Sequence, residues 1–155
     1  MIKKIANILL KFSAKIAMKR NSYKVVAITG SVGKTSTKKA ISLVLESKYS
    51  VLLSEGEGYN TEVGVPLILI QKTVPKNKIG WFFLIFAAPF LALKKRKYDF
   101  CILEMGADKP GDIEYLTRIA SPDIAVVTSV FRVHLIDFKN IEEIAKEKEK
   151  ILSRL

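Results

Sequence analysis

One eight-residue segment, TGSVGKTS at positions 29–36, constrains the fold of this chain most, and it begins at the last residue of a short apolar run, KVVAIT, at positions 24–29. Its glycines let backbone N–H groups approach a phosphate, and a helix N-terminus beginning there adds a favourable dipole. Its lysine can neutralise the β- and γ-phosphates of a nucleotide, and the hydroxyl of the following threonine can bind Mg²⁺. The predicted nucleotide-binding residues are Thr29, Gly30, Ser31, Val32, Gly33, Lys34, Thr35 and Ser36.

This loop departs from the general phosphate-binding pattern at one position. The pattern places a glycine five residues before Gly33, where this chain has Ile28, so Gly30 takes the leading role. A glycine-bearing turn in front of a helix is the structural alternative. The preceding strand, the lysine and the threonine together favour phosphate binding.

Apolar runs alternate with helical patterns along the rest of the chain. Further strands are predicted at 50–54, 99–104 and 123–128, and helices at 35–47, 66–73, 111–120 and 141–155. Continuous apolar strands separated by helices are typical of parallel sheets that are covered on both faces. The predicted class is therefore α/β, a P-loop NTPase-like, mainly parallel sheet with helices on both faces, incomplete at the C-terminal side.

Residues 1–22 form a predicted basic amphipathic helix ahead of the nucleotide-binding domain at 23–155. Two alternatives are open for it: contact with an anionic membrane surface, or packing on the domain. Its apolar residues recur at helical spacing: Ile2, Ile5, Leu9, Phe12 and Ile16.

An apolar insertion at 79–93, IGWFFLIFAAPFLAL, interrupts the α/β rhythm and is flanked by lysines on both sides. It is shorter than the roughly 20 residues that cross a bilayer, and Pro89 favours a kink. The alternatives are a buried helix, a contact patch for another subunit, and a helix that lies on a membrane. Aromatic residues between basic flanks favour membrane contact.

The net charge indicates which partners the chain can bind, and the cysteine content indicates its redox compartment. The 155 residues carry a formal charge of +11, which favours anionic partners such as nucleotides, nucleic acid or an acidic membrane. A basic nucleic-acid-binding protein is a distant alternative because the chain has no recognised reader motif, so no nucleic-acid partner is expected. Cys101 is the only cysteine and lies in an apolar run, which fits a buried side chain and a reducing, cytoplasmic compartment.

Four segments, in this order, resemble the central domain of Mur ligases: VVAITGSVGKTSTKKAISLVL, EGYNTEVGVPLILI, ILEMGADKPGDIEYLTRIASPDIAVVTSV and HLIDFKNIEEIAKEKEKIL. The resemblance runs from about residue 25 to residue 152. It implies an ATP- and Mg²⁺-dependent ligase that phosphorylates a substrate carboxylate and then forms an amide with an incoming amine. The implied partners are ATP and, for a complete enzyme, a UDP-MurNAc-peptide with an amino acid or dipeptide.

The resemblance also implies metal ligands at Glu104 and His134, beside Thr35. Glu104 ends a predicted strand, and ligand sites of open α/β sheets lie at the carboxyl ends of strands. A solvated charge at the strand end is the alternative for Glu104. His134, the only histidine, follows the last predicted strand, and by itself a lone histidine is more often a surface or core residue.

Lys148 occupies a position in the last predicted helix that the apolar series passes through. The series is formed by Ile141, Ile144, Ala145, Ile151, Leu152 and Leu155, so Lys148 is predicted to point inward. The same pattern predicts that Lys146, Glu147, Glu149 and Lys150 point elsewhere. Burial lowers the pKa of a lysine, and the resemblance implies a carbamylated Lys148 that holds a second Mg²⁺. A lysine that extends past the helix end is the alternative.

Asn60 and Thr61 are candidates for substrate contact by the same resemblance, and a plain polar turn is the alternative. Two positions depart from the family pattern: Ser129 replaces an asparagine, and Ile136 replaces a glutamate. The substrate and amine-binding domains of the family are not recognisable in these 155 residues, which predicts a fragment or a chain that works with a partner. A non-catalytic, membrane-associated nucleotide-binding module is the alternative function.

Overall fold

The computed structural model describes residues 2–53, 56, 58–131 and 137–155. The helices are α1 (Ile2–Arg20), α2 (Lys34–Glu46), α3 (Gly64–Leu69), α4 (Lys78–Ala92), α5 (Asp112–Thr117) and α6 (Ile141–Glu149), followed by a 3₁₀ helix at Lys150–Arg154. The strands are β1 (Lys24–Thr29), β2 (Val51–Leu53), β3 (Phe100–Glu104) and β4 (Ile124–Val127).

The four strands form one parallel sheet in the order β2-β3-β1-β4. In its register Ile28 pairs with Glu104 and Thr29 pairs with Val127, so the carboxyl ends of β1, β3 and β4 meet at one edge. The loop after β1 therefore lies between the ends of its two neighbours. This arrangement confirms the predicted parallel α/β sheet.

Alternating side chains of the central strands enter two separate apolar clusters, as the period-2 geometry of a strand requires. Val26 and Ile28 of β1 pack with Ile102 on the face that α2 covers. Val25 and Ala27 belong to the larger cluster on the opposite face, to which α1, α3, α4 and α5 contribute. Helices thus cover both faces, as predicted from the apolar strands.

α1 contacts α3 and α4, and most of its buried side chains are small. Its buried positions are Ala6, Leu10, Ser13, Ala14 and Ala17. Ile5 and Phe12, members of the apolar series read from the sequence, are 52% and 59% exposed. Alanines allow a close approach between helix backbones, so these small residues face the domain together with Leu10, whereas Ile5 and Phe12 do not.

α4 runs through Pro89 without a break and begins at Asn77, whose side chain accepts a hydrogen bond from the backbone N–H of Gly80 at 2.8 Å. Only Leu84, Ala88 and Ala92 of this helix are buried. The buried-helix interpretation of the apolar insertion is therefore wrong, because most of its large side chains face outward. Among the described residues, no helix combines the length and apolar character needed to cross a membrane.

Candidate nucleotide and metal site

The loop at 30–33 joins β1 to α2 through two glycines with positive φ, +151° at Gly30 and +86° at Gly33. A Cβ on Gly30 would lie 1.9 Å from Oγ1 of Thr128, so a side chain does not fit there. Gly33 occupies the N-cap position of α2, and no described side chain caps this helix terminus. The first N–H groups of α2 and its dipole therefore suit an anion in front of the loop.

Residues after β4 hold the loop in place. The backbone N–H of Ser31 donates to the carbonyl of Ser129 at 3.0 Å, and the N–H of Val32 donates to its hydroxyl at 3.0 Å. The hydroxyl of Thr128 donates to the carbonyl of Val32 at 2.6 Å. Ser129, the departure from the family pattern, thus fixes the loop through both its backbone and its side chain.

Lys34 folds back over the loop, where its Nζ donates to the carbonyl of Gly30 at 2.7 Å. An ammonium above a phosphate-binding loop is the charge that the β- and γ-phosphates of a nucleotide need. Two other predicted nucleotide-binding residues differ in accessibility. Thr29 is buried and its hydroxyl donates to the carbonyl of Met105 at 2.9 Å, whereas Ser36 is exposed on the first turn of α2.

Glu104 lies next to the loop, at the end of β3, and both its carboxylate oxygens have partners. The hydroxyl of Thr35 donates to Oε2 at 3.1 Å, and Nζ of Lys38 lies 2.8 Å from Oε1. The hydroxyl and the carboxylate are hard oxygen ligands of the kind that Mg²⁺ prefers, and nucleotide phosphates and water complete such a site. Within the described ranges, no three His, Cys, Asp or Glu side chains cluster to hold a metal without those additional ligands.

Sequence reasoning overlooked Lys38, although a signal for it exists. Lys38 is one turn after Lys34 and three residues after Thr35, so helical spacing places it on the face that carries both. Its side chain is only 5% exposed and pairs with Glu104.

Lys148 is buried in α6, 3% exposed, as the apolar series predicted. Burial lowers the pKa of its ammonium, and the positive charge of Lys34 lowers it further, whereas Glu147 acts in the opposite direction. The influence of Lys34 places Lys148 in the electrostatic environment of the phosphate-binding loop. A larger neutral fraction of the amine follows at any given pH.

The prediction that Glu147 points away from the domain is wrong, because this side chain is 2% exposed. Its oxygens accept hydrogen bonds from the backbone N–H groups of Gly111 at 2.8 Å and Ile113 at 2.9 Å, at the start of α5. Nζ of Lys150 lies 2.6 Å away. These partners satisfy the buried charge, so α6 can turn two neighbouring charged residues inward.

The end of α6 also differs from the prediction of one helix to residue 155. The α-helix stops at Glu149 and continues as a 3₁₀ helix, which has a different side-chain period. Leu152 and Leu155 are consequently 47% and 65% exposed, and Ala145 is exposed as well. Of the predicted inward series, Ile144 and Ile151 are the buried apolar members.

A polar cavity of about 210 Å³ lies beside the carboxyl end of β3. Asn60 and Thr61 line it together with Asp108 and Lys109. The hydroxyl of Thr61 is used within its own turn, where it donates to the carbonyl of Gly58 and accepts from the N–H of Gly64. His134, the predicted metal ligand that follows β4, lies outside the described residues.

Comparison with known proteins extends this picture. The model of the Mur ligase middle domain matches residues 28–155. The UDP-N-acetylmuramoyl-tripeptide–D-alanyl-D-alanine ligases of Buchnera aphidicola (strain APS) and Bacillus subtilis are 31% and 32% identical, over 88% and 92% of this chain. The chain spans only 25% and 26% of those two relatives.

Solved structures agree with the sequence relatives. MurF from Acinetobacter baumannii superposes with a TM-score of 0.77 at 25% identity, covering 96% of this chain and 28% of that protein. MurF ligase from Thermotoga maritima, solved in complex with ADP, gives 0.73 at 32% identity, with coverage of 96% and 29%.

A parallel sheet with a glycine loop, a lysine and a threonine at its central strand defines a P-loop nucleotide-binding domain. The family match covers most of its length. The chain belongs to the Mur ligase family, and it corresponds to the middle domain, the nucleotide-binding portion of these ATP-dependent ligases.

Proposed function

We propose that this chain is the ATP- and Mg²⁺-binding portion of an ATP-dependent amide ligase that acts in peptidoglycan precursor synthesis. The observation that carries the proposal is the contact of Thr35 with Glu104 directly beside the phosphate-binding loop. The relatives named as ligases and the ADP-bound neighbour support it.

The proposed reaction has two steps, and the chain's residues serve the first. The γ-phosphoryl group passes from ADP oxygen to a substrate carboxylate oxygen, forming an acyl phosphate. The amine nitrogen then attacks the carbonyl carbon, the C–O bond to phosphate breaks, and the amine gives up a proton. Phosphoryl transfer depends on positioning and charge neutralisation, which the loop N–H groups and Lys34 supply. Thr35 and Glu104 would hold Mg²⁺, which when bound would neutralise phosphate charge.

Isothermal titration with Mg-ATP tests nucleotide binding. We expect weak, Mg²⁺-dependent binding and little turnover for this chain, since it spans about a quarter of its relatives. Lys34→Ala should abolish the heat. Lys39→Ala is the matched control, because it removes an equal charge from an exposed position of the same helix. Equal heats of Mg-ATP binding for wild type and Lys34→Ala would refute the proposal.

Lys148 is proposed as a site of carbamylation. Its burial and lowered pKa favour the neutral amine, whose nitrogen attacks CO₂, forms an N–C bond and loses a proton to leave a carbamate. The carbamate oxygen would hold a second Mg²⁺, and His134 is a further proposed ligand. Carbon-13 NMR in labelled bicarbonate should show a carbamate signal that Lys148→Ala removes and Lys146→Ala, at an exposed position, retains. A spectrum without the signal in wild type would refute carbamylation.

The polar cavity beside Asn60 and Thr61 is proposed to take part of the UDP-MurNAc-peptide, with an amino acid or dipeptide as the amine partner of the whole enzyme. Acidic and basic side chains in its wall suit a polar, charged ligand. Asn60→Ala should weaken binding of the UDP-linked peptide without changing Mg-ATP binding. Unchanged affinity for the peptide would leave Asn60 as part of a plain turn.

A membrane-associated nucleotide-binding module that lacks catalysis and needs a partner is the second candidate, and the exposed apolar side chains of α4 favour its membrane association. For either function we propose a cytoplasmic location with contact to the inner face of the membrane. Hydroxylamine traps acyl phosphates as hydroxamates, so a hydroxamate formed from Mg-ATP and the UDP-linked peptide would support the ligase. Since little turnover is expected, the yield is compared with that of Lys34→Ala: a yield no higher than this background, with nucleotide binding intact in the wild type, favours the module.

A further inference from the structure

α4 carries a continuous apolar stripe on its outer side. The stripe, called the aromatic face below, consists of residues that are all at least half exposed: Ile79, Phe82, Phe83, Phe86, Phe90 and Leu93. Their spacing of three and four residues places them on one side of the helix, opposite the buried Leu84, Ala88 and Ala92. The domain therefore packs against the side of α4 that carries Leu84, Ala88 and Ala92, and the aromatic face of the helix is not covered by the domain.

A stripe of this kind differs from the single apolar residues that any protein surface shows. The rings of Phe82 and Phe86 contact each other with centroids 4.7 Å apart, and Phe82 also contacts Phe83 at 5.9 Å. Clustered aromatic rings that a domain leaves uncovered mark a surface that contacts an apolar partner or a lipid phase.

The charge of the residues that flank α4 favours a lipid phase over an apolar protein partner. Positions 63–98 contain no Asp or Glu, and they contain seven basic residues, three before and four after residues 79–93 in the sequence. Arg96 turns inward and donates to the carbonyls of Leu69 and Ile70 at 2.8 and 2.9 Å. The others are exposed lysines: Lys72, Lys76, Lys78, Lys94, Lys95 and Lys97. Apolar rings between lysine clusters match an anionic bilayer, which offers acyl chains below a layer of negative headgroups.

α1, which packs against α4, repeats the same pattern. Ile8 and Phe12 are 67% and 59% exposed, and positions 2–20 contain six basic residues and no acidic one. The 15 residues of α4 span about 22 Å along the helix axis, less than the roughly 30 Å hydrocarbon layer. A helix of this length fits the plane of the interface rather than a crossing.

We propose that α4 lies in the headgroup region of an anionic membrane with its aromatic face inserted among the acyl chains. This inference goes beyond the ligase function and does not depend on it, because none of the residues involved belongs to the nucleotide site. Nucleotide binding at the loop and membrane attachment through α4 can therefore be tested separately.

The experiment uses the full chain with vesicles of phosphatidylglycerol and phosphatidylcholine, or of phosphatidylcholine alone. Trp81, the only tryptophan, packs against the domain core from the inner side of α4, so its fluorescence reports the fold and should change little when anionic vesicles are added. Flotation should bring the protein to the top of the gradient with anionic vesicles, and higher salt should reduce this binding.

Two variants identify the surface. Phe82→Ser, Phe86→Ser and Phe90→Ser combined should reduce vesicle binding by about tenfold or more, since three inserted rings are lost. Leu43→Ser with Val44→Ser is the matched control, because these α2 residues are 72% and 73% exposed and lie outside α4. The control variant should bind as wild type does. Circular dichroism and Mg-ATP titration verify that both variants are folded.

Three results would overturn the proposal: no binding of wild type to anionic vesicles, equal binding to phosphatidylcholine alone, or full binding by the triple variant. A fourth is a dimer in sedimentation that the triple variant abolishes, in the absence of any vesicle binding. That result would assign the aromatic face to a second copy of the chain. Loss of nucleotide binding by Lys34→Ala with normal vesicle binding would leave the proposal intact.

Discussion

Lys38 and Glu104 form a buried ion pair, with Nζ and Oε1 2.8 Å apart, while the hydroxyl of Thr35 bonds the other carboxylate oxygen at 3.1 Å. The side chains of the pair are only 5% and 11% exposed. Glu104 is consequently held in one orientation, with Oε2 directed toward Thr35 in the first turn of α2, next to the phosphate-binding loop. A lysine that sequence reasoning did not select thus fixes the carboxylate proposed to bind Mg²⁺.

Lys38→Met should destabilise the protein because it leaves the Glu104 carboxylate without its cationic partner. Removing one member of a buried pair costs about 3–5 kcal/mol, and we expect the lower end since Thr35 continues to bond Glu104. Urea unfolding without Mg²⁺ measures the loss. Mg²⁺ with a nucleotide should restore part of the stability, and Lys38→Arg should retain most of it. A fully stable Lys38→Met protein would show that the pair contributes little.

Gly30→Ala should abolish nucleotide binding and lower the free energy of unfolding. The new methyl group would meet Oγ1 of Thr128 at 1.9 Å, which forces apart the loop and the segment after β4. We expect a cost of about 2–4 kcal/mol from steric conflict and strain together. Gly58→Ala is the control, since Gly58 also has a positive φ but has open space around it. Its cost should be about 1–2 kcal/mol. Equal losses in the two variants would argue against the clash.

Glu147→Gln should destabilise the contact between α6 and α5. Hydrogen bonds to a charged acceptor contribute about 1.5–3 kcal/mol, and this carboxylate accepts two from backbone N–H groups of Gly111 and Ile113. Chemical denaturation should show a loss of about 2–3 kcal/mol. Glu149→Gln, an exposed change on the same helix, should stay within about 0.5 kcal/mol. A loss no larger than this control would mean that the neutral amide suffices.

Lys148 should make stability depend on pH in a direction set by its lowered pKa. The unfolded chain binds the proton more tightly than the folded one, so unfolding takes up a proton between the folded pKa and about 10.5. Stability contributed through this residue therefore rises with pH across that window. Urea unfolding at pH 7 and pH 9 without CO₂ should show a smaller rise for Lys148→Met than for wild type. An identical pH dependence would indicate that Lys148 is protonated equally in both states.

Local signals were sufficient for the strands and the loop because both depend on neighbouring residues. β1 follows from its apolar run, and the loop follows from glycines, a lysine and a threonine at fixed spacing. The position of Glu104 followed from the rule that sites lie at the carboxyl ends of parallel strands. Lys148 followed from helical period alone.

Long-range partners account for what sequence reasoning missed. Glu147 turns inward because its partners are backbone N–H groups 34 and 36 residues away, and no local pattern encodes them. The inner face of α1 consists mostly of alanines, which contribute little to the apolar periodicity of the sequence. The exposed Ile5 and Phe12 dominate that periodicity, so it indicates the wrong face. Apolar periodicity identifies a stripe, and only the packed partner decides whether the stripe or its opposite side is buried.

The bonds between the phosphate-binding loop and the segment after β4 have a consequence for the order of biosynthesis. Ser31 is joined to Phe131 across 100 positions of the chain, and Val32 to Ser129 across 97. A ribosome therefore releases the loop long before it releases the residues that fix its shape. The nascent chain acquires a fixed phosphate-binding loop only after β4 has emerged and joined β1, so ATP can assist folding only from that point onward.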